Sequence, residues 1–285
     1  MEQTTKIGIY HKNCTDGTTA AAVLLRKFPD IKLFPLVHSH TEDDIAHIHK
    51  NTGEGSEVYF VDFATGVEEF LDKGHDVVVL DHHIGAKEKM EKFAEENKKL
   101  TYIFNNEKSG ASLVWAHFFG DEDEPEIIKY VQDSDLWTGK YEDTKYVTNY
   151  LSMFSNNPVQ MLKFIESDIT KIKEKGKVIT QYADIQIERI VEGFQEIKLK
   201  IGEHEVHAHN ITMYESAVGN KLATLNDQTA VMFSINGGNV NFSFRSIDSN
   251  NPSALDLAKA LGGGGHRNSS GATILLEDFL KMIIL

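Results

Sequence analysis

The sequence predicts an α/β protein in which a mostly parallel, doubly wound N-terminal sheet is joined by a long helical connector to a smaller C-terminal α+β domain. The length of 285 residues exceeds the usual size of a single core. The N-terminal half alternates short apolar runs with segments of helical period, whereas short alternating strands prevail after residue 195. We therefore expect domains at residues 1–155 and 196–285, with the connector at 156–195.

Five buried strands are expected to alternate with helices in the first half. The strands are predicted at residues 6–10, 31–37, 58–61, 77–80 and 100–104. The helices between and after them are predicted at 18–27, 66–73, 86–97 and 109–119. Parallel sheets of this kind bind their ligands at the carboxyl ends of the strands, so a functional site is expected there.

The connector and the C-terminal region follow a different pattern. Pro158 suits the first turn of a helix, and apolar residues recur at helical spacing up to Phe194, which predicts one long helix or a helix pair. Beyond them we expect strands at 197–201, 205–211, 231–235, 240–247 and 272–276, and a helix at 254–261. A hairpin turn is predicted at 236–239. The four glycines at 262–265 are expected to lie outside any regular element because glycine is too flexible for one.

Composition and charge exclude several classes of protein. Hydrophobic residues make up 41% and charged residues 25%, which is typical of a globular chain and not of a disordered one. The apolar runs fall short of the roughly 20 residues of a membrane span. A single cysteine, Cys14, and the absence of a signal-peptide pattern favour a cytoplasmic location. The net charge of −14 disfavours long duplex nucleic acid but permits a small anionic substrate at a metal site.

Potential metal ligands follow several predicted strands or lie in a nearby helical stretch. They are His11, Cys14, Asp16, Asp62, Asp81, His82, Asp133 and Asp135. A single residue of this kind is usually a helix cap or a surface acid. Several together are better explained by a cation, because clustered carboxylates would otherwise repel one another. Oxygen and imidazole ligands suit Mn²⁺, Mg²⁺ or Zn²⁺, with Mn²⁺ favoured, and the number of ligands suggests two ions and phosphoester hydrolysis.

The order of these motifs carries a resemblance to a known family. The triplet Asp81-His82-His83, preceded by His11…Asp16-Gly17 and Asp62 and followed by Asp133, resembles the four motifs of the DHH phosphoesterase superfamily. The segment from Gly262 to Gly271, GGGGHRNSSG, resembles the signature of the DHH-associated substrate-binding domain. The two likenesses cover nearly the whole chain. The first motif is most similar to that of the oligoribonuclease (nanoRNase) and cyclic-nucleotide phosphodiesterase branch.

The resemblance implies a ligand set for two metal ions. It assigns His11 to the first ion, Asp62 as the bridge, and Asp16, His82 and Asp133 to the second. Asp135 is the alternative to Asp133, since the spacing of the two does not decide between them.

The resemblance also implies two catalytic residues and one departure. Asp81 would orient a histidine, and His83 would face the scissile phosphate or the leaving oxygen. Cys14 stands where many superfamily members have an aspartate. If Cys14 is a thiolate ligand, two ions are expected. If it is a small buried residue, the first ion has fewer ligands and binds more weakly, so that one ion is expected.

Substrate binding is expected in the C-terminal domain. The backbone N–H groups of Gly263, Gly264 and Gly265 can turn toward an anion, and His266 follows them directly. Arg245, on an alternating strand, is a further candidate whose alternative is an exposed surface cation.

The function that the resemblance implies is a metal-dependent phosphodiesterase that hydrolyses short oligonucleotides to mononucleotides. The alternatives are a cyclic-dinucleotide phosphodiesterase, a 3′-phosphonucleotide phosphatase and, outside enzymes, a nucleotide-binding sensor with a weakened metal site. The preference for RNA or DNA, the polarity of cleavage and the formation of a homodimer stay open.

Overall fold

The computed structural model describes residues 5–38, 40–120, 122–193 and 195–284. The chain divides into two compact units, Met1–Thr180 and Gln181–Leu285, and the division falls inside the predicted connector. Phe194, the predicted end of the connector helix, and the first four residues of the predicted N-terminal domain lie outside the described residues. The predicted α/β fold class, with a parallel sheet first and a smaller mixed module second, is confirmed.

The N-terminal unit contains one fully parallel sheet. Its strands are β1 (Lys6–His11), β2 (Lys32–Leu36), β3 (Glu57–Val61), β4 (Asp76–Asp81) and β5 (Leu100–Phe104), in the order β2-β1-β3-β4-β5. Tyr10 of β1 is aligned with Val61 of β3, which is aligned with Leu80 of β4. The residues that follow these three therefore emerge side by side at one edge. This edge lies at the β1/β3 switch point, where sheets of this strand order bind their ligands.

Helices cover both faces of this sheet. They are α1 (Thr15–Lys27), α2 (Glu42–Asn51), α3 (Val67–Asp72), α4 (Ile84–Glu96), α5 (Gly110–Phe119), α6 (Glu126–Asp135), α7 (Thr144–Ser152) and α8 (Pro158–Ile165). Side chains from α1 and from α5 to α8 form the apolar core on one face. Side chains from α2, α3 and α4 form the core on the other. Helices α2 and α7 lie in segments for which no regular element was predicted.

The C-terminal unit begins within the long helix α9 (Ile169–Gly193) and contains a mixed sheet. Its elements are β6 (Glu196–Ile201), β7 (His204–Asn210), α10 (Glu215–Asn226), β8 (Ala230–Asn236), β9 (Asn239–Arg245), α11 (Ala254–Ala260), β10 (Gly264–His266), β11 (Ser269–Leu275), α12 (Leu276–Met282) and β12 (Ile283–Ile284). The strand order is β10-β11-β9-β8-β7-β6-β12, and β7 and β8 form the parallel pair. Strands β8 and β9 meet at the predicted hairpin turn, where Asn236 pairs with Asn239.

The glycine run differs from its prediction. It was expected outside regular structure, yet β10 begins at Gly264 and pairs with β11. Close backbone approach explains the glycines here, because a Cβ on Gly263 would collide with the carbonyl oxygen of Gly271. Gly265 adopts a φ of 138°, which side chains disfavour.

The structure was also searched for membrane spans. Among the described residues, no helix combines the length and the apolar character needed to cross a bilayer.

Candidate metal centre

The carboxyl ends of β1, β3 and β4 bring most of the predicted ligands together. His11 ends β1, and Asp62 follows β3 with a left-handed φ of 55°. His82 follows β4 and precedes α4. A left-handed backbone is strained for aspartate, and such strain is typical of functional sites. Asp16 lies in the first turn of α1.

Three carboxylates surround the imidazole of His82. Its Nε2 atom lies 3.0 Å from Oδ1 of Asp62, 3.4 Å from Oδ2 of Asp135 and 3.9 Å from Oδ2 of Asp16. On the other side of Asp62, Oδ2 lies 3.7 Å from Nδ1 of His11. The structure thus brings together five residues that lie in or directly follow five separate elements, namely β1, α1, β3, β4 and α6.

The potential ligand atoms form three overlapping groups, in each of which all atoms lie within 4.8 Å of one another. The groups are His11, Cys14 and Asp62; Asp62, His82 and His83; and Asp16, His82 and Asp135. Asp62 belongs to the first two and His82 to the last two. Asp62 therefore has potential partners for a cation on two sides, in line with the expectation that it is shared between two sites.

The charged groups of the cluster shift one another's pKa values. Burial raises the pKa of Asp16 well above its usual range, and the charges of Asp62 and Asp135 raise it further. Burial also opposes the ionisation of Asp62, but the nearby imidazole of His11 and the hydrogen bond with His82 outweigh it and hold its pKa low. Burial disfavours the charged form of His82, yet its hydrogen bond to Asp62 and the surrounding carboxylates raise its pKa to about 9.

The donor set fits a divalent cation. Among the described residues, none donates a hydrogen bond to the buried Oδ2 atoms of Asp62 and Asp135. Asp16 is held in place by the backbone N–H groups of Gly110 and Ala111, at 2.5 and 3.0 Å. A Cβ on Gly110 would lie 2.5 Å from Cβ of Asp62, so only glycine allows this approach. Oxygen atoms without a donor, next to imidazole nitrogens, match the ligands of Mn²⁺ or Mg²⁺.

Asp133 does not join the cluster, although it was the first choice for the second metal. Its carboxylate accepts hydrogen bonds from the Thr138 hydroxyl at 2.5 Å, the Lys140 N–H at 2.6 Å, the Tyr141 N–H at 3.2 Å and the Thr144 hydroxyl. Burial alone would raise the pKa of Asp133, but these bonds outweigh it and lower the pKa to about 2. The carboxylate of Asp133 is therefore engaged in hydrogen bonds with residues that follow α6. The alternative, Asp135, lies beside His82 instead.

Asp81 orients His83, as a partner of the DHH triplet should. Oδ1 of Asp81 accepts hydrogen bonds from Nδ1 of His83 at 2.7 Å and from the backbone N–H of His82 at 2.8 Å. The hydrogen bond raises the pKa of His83. Asp81 is buried, whereas 43% of the His83 side chain is exposed, so the ring is fixed at one nitrogen and open to a ligand.

Cys14 lies within the first group of potential ligands and also caps a helix. Its Sγ atom accepts a hydrogen bond from the Gly17 N–H at 3.4 Å at the N-terminus of α1. Burial raises the pKa of the thiol, and the charges of Asp62 and Asp16 raise it further. The geometry is compatible with both interpretations of Cys14, and its role as a ligand stays a prediction.

His38 is a neighbour of the cluster that the sequence analysis missed. Its ring lies 5.0 Å from that of His11 and 4.9 Å from that of Phe63, and its Nδ1 is 2.9 Å from the Thr65 hydroxyl. The signal was present: His38 directly follows the predicted strand 31–37, as the other candidates follow theirs.

The predicted substrate-binding residues are brought together in the C-terminal unit. In the sheet, His266 pairs with Ser269, and Ser269 pairs with Arg245. Paired residues project from the same face, so His266 and Arg245 share that face two strands apart. The guanidinium of Arg245 donates to the hydroxyl of Ser216 at 2.6 Å and to that of Ser243 at 3.1 Å, which fixes its position.

Two sequence comparisons bear on this geometry. Residues 204–284 match the DHHA1 domain family. Uncharacterized protein R106 of Acanthamoeba polyphaga mimivirus is 26% identical over 284 residues, in a match that covers 92% of this chain. The chain spans 66% of the length of that relative.

Solved structures share the fold over nearly the whole chain. The pGpG-specific phosphodiesterase PggH from Vibrio cholerae has a TM-score of 0.53 and 16% identity, covering 97% of this chain and 95% of its own. Exonuclease RecJ bound to manganese has a TM-score of 0.56 and 13% identity, covering 99% and 89%. RecJ from Thermus thermophilus, in complex with Mn²⁺, has a TM-score of 0.54 and 14% identity, covering 97% and 50%. At these identities the likeness shows the fold.

Proposed function

We propose that this chain, a DHH-superfamily protein with a C-terminal DHHA1 domain, is a metal-dependent phosphodiesterase that hydrolyses short oligonucleotides to mononucleotides. The match of residues 204–284 to the DHHA1 domain family and the fold shared with RecJ support the predicted superfamily. The observation that carries the proposal is the convergence of Asp16, Asp62 and Asp135 around His82. A cluster of this charge and geometry is a site for a cation that acts on phosphate.

The ligand groups support two metal positions. We assign His11, Cys14 and Asp62 to the first and Asp16, His82 and Asp135 to the second, with Asp62 between them. A bound divalent ion would supply an activated water and would withdraw charge from the scissile phosphate. Mn²⁺ is the preferred ion, since RecJ structures of the same fold contain it.

The exposed face of His83 supports a role at the leaving oxygen. Asp81 fixes the ring through Nδ1, so Nε2 is the nitrogen that can reach a substrate. With its pKa raised by Asp81, His83 is suited to donate a hydrogen bond or a proton as negative charge develops on that oxygen.

The C-terminal unit supports a substrate that carries a second phosphate. His266 and Arg245 share one face of its sheet, and both are able to bind an anion there. The net charge of −14 opposes long polyanions, which favours short oligonucleotides over long nucleic acid. PggH, which shares the fold, is a phosphodiesterase specific for pGpG, a substrate of this size.

A substrate panel tests the proposal. The purified protein is incubated with Mn²⁺ and dinucleotides to pentanucleotides, cyclic dinucleotides and 3′-phosphonucleotides, and the products are separated by chromatography. We expect mononucleotides from the short linear substrates, and loss of product with a chelator or in the His82→Ala variant. Preferential release from a cyclic dinucleotide or a 3′-phosphonucleotide would replace the proposed substrate by that alternative, and absence of any hydrolysis would reject the enzyme.

A further inference from the structure

An exposed tryptophan stands at the end of α6, two residues after Asp135. Trp137 is 88% exposed, the highest fraction among the large apolar side chains that are exposed in the described part of the chain. Its φ of 54° lies in the left-handed region, where a bulky residue is strained. An indole of this exposure presents a large aromatic surface to solvent.

Trp137 lines the same cavity as the candidate ligands. The cavity has a volume of about 450 Å³, and His11, Cys14, Asp16 and Asp135 contribute to its walls. The indole therefore lies at the rim of the space into which the metal-ligand cluster opens. A group that occupies this cavity beside the cluster would have the indole as its apolar wall.

The loop that carries Trp137 is fixed by Asp133. The carboxylate of Asp133 binds the hydroxyls of Thr138 and Thr144 and the backbone N–H of Lys140, and its carbonyl oxygen accepts the N–H of Thr138 at 3.1 Å. These contacts constrain the residues that follow Trp137 and so maintain its strained backbone. A loop whose backbone is already fixed loses little conformational entropy when the side chain that it carries binds a ligand.

We propose that Trp137 is the stacking platform for one nucleobase of the substrate whose phosphodiester is held at the metal-ligand cluster. The proposal rests on the proposed function and extends it, because it requires a substrate with a base near the scissile phosphate. Base stacking on an aromatic ring is favourable for every base, since each has a π-face. The chemistry thus selects nucleotides over phosphodiesters without a base and discriminates weakly among sequences.

Tryptophan fluorescence measures the binding directly. The chain has two tryptophans, and Trp115 is only 3% exposed and stacks on Phe119 with ring centroids 4.4 Å apart. The ligand is a phosphorothioate-linked dinucleotide, titrated in the presence of Mg²⁺. This linkage is hydrolysed slowly, so cleavage does not interfere with the binding measurement. We expect saturable quenching in the wild type and none in the Trp137→Phe variant. Emission that changes with protein concentration but not with dinucleotide would assign the indole to contact between two copies and overturn the proposal.

Kinetics identify which base is stacked. The substrates are a dinucleotide and two analogues in which one base or the other is replaced by hydrogen. We expect Trp137→Ala to lower kcat/KM for the dinucleotide by about 10- to 100-fold, mainly through KM, and Trp137→Phe to restore most of it. The loss should vanish for the one analogue that lacks the stacked base. The exposed Val159 of α8 offers a control, and Val159→Ala should change nothing.

The outcomes separate the two proposals. An equal loss on all three substrates would assign Trp137 to structure, and no loss on any would remove it from the site; either result overturns the stacking role. If the wild type binds the phosphorothioate with quenching but hydrolyses no phosphodiester with any divalent ion, the proposed function fails and the stacking site stands.

Discussion

Two aspartates of α6, only two positions apart, have different tasks. Asp135 faces His82 with a buried oxygen that accepts no hydrogen bond from the described residues, whereas Asp133 is bound by the loop after the helix. We expect Asp135→Asn to lower Mn²⁺ affinity and kcat/KM by at least about 100-fold, since even indirect partners of a metal cost 10- to 100-fold. Its thermal stability should not fall, because the substitution removes a charge from a repulsive cluster. Isothermal titration with Mn²⁺ and a melting curve measure both.

Asp133→Asn should show the reverse pattern. The pKa of Asp133 falls from its ordinary value of 3.8 to about 2 in the fold, which corresponds to about 2 kcal/mol of stability. This contribution is complete above pH 3.8 and disappears as the pH falls toward 2. We therefore expect the variant to lose roughly 2 kcal/mol at pH 7, with a smaller difference from wild type at about pH 3, in urea unfolding. A large loss of Mn²⁺ affinity with unchanged stability would return Asp133 to the ligand set.

Substitution of Cys14 tests whether the first metal position has enough ligands to bind its ion tightly. Aspartate is a good helix cap, so Cys14→Asp should preserve the cap of α1 while adding a carboxylate beside Asp62. We expect tighter Mn²⁺ binding, because a hard carboxylate suits Mn²⁺ better than a thiol, and a lower melting temperature in chelator, because the added charge is repelled. Cys14→Ser is the control, with neither effect. Unchanged occupancy and activity would leave Cys14 as a packing residue.

At the residue scale, the sequence predicts the ligand types better than their identities. The apolar strands that end at His11 and just before Asp62 were sufficient to predict that these two residues lie close together, because parallel strands end at one edge of the sheet. The choice between Asp133 and Asp135 required the orientation of α6, and the loop that captures Asp133 consists of ordinary residues. Trp137 gave no signal, since nothing in the pattern indicates that it stays exposed.

At the scale of elements, buried parallel strands were the easiest to predict. Each of the five strands of the N-terminal sheet overlaps its prediction. The three central strands, β1, β3 and β4, are mostly buried and therefore consist of nearly continuous apolar runs. Helix α10, for which no element was predicted, contains Gly219, where a Cβ would lie 2.5 Å from Cε of Met232. Helix α2 was missed although Thr41 and Asp44 form a capping box at its start. The need for glycine at a position such as Gly219 is set by tertiary contacts, which no local sequence pattern encodes.

The short strand β10 gives a prediction with a matched control. A side chain at Gly263 would collide with the backbone of Gly271, whereas one at Gly264 would meet nothing within 4 Å. Gly263→Ala should therefore separate β10 from β11, cost about 1–3 kcal/mol and lower kcat/KM for dinucleotides. Gly264→Ala should change stability by no more than about 0.5 kcal/mol. Urea unfolding and dinucleotide kinetics measure both effects in the two variants. Equal stability and equal kcat/KM of the two variants would contradict the idea that close backbone packing requires glycine at position 263.

At the scale of the whole molecule, charge and chemistry act in opposite directions. A net charge of −14 repels polyanions, so substrate affinity has to come from local groups. The N-terminal unit offers a metal-ligand cluster, and the C-terminal unit offers Arg245 and His266 on one sheet face. A small substrate with few phosphates can bind to such local groups without a broad basic surface.

The contribution of His266 can be separated from catalysis by the choice of substrate. If His266 binds a substrate phosphate other than the one cleaved, that binding energy positions the scissile bond. We expect His266→Ala to lower kcat/KM for dinucleotides by about 10- to 100-fold, with Mn²⁺ affinity unchanged. It should spare bis-p-nitrophenyl phosphate, which has no second phosphate. Equal losses on both substrates would place His266 at the reacting phosphate, and no loss on either would leave the glycine run as a structural hairpin whose histidine has no part in binding.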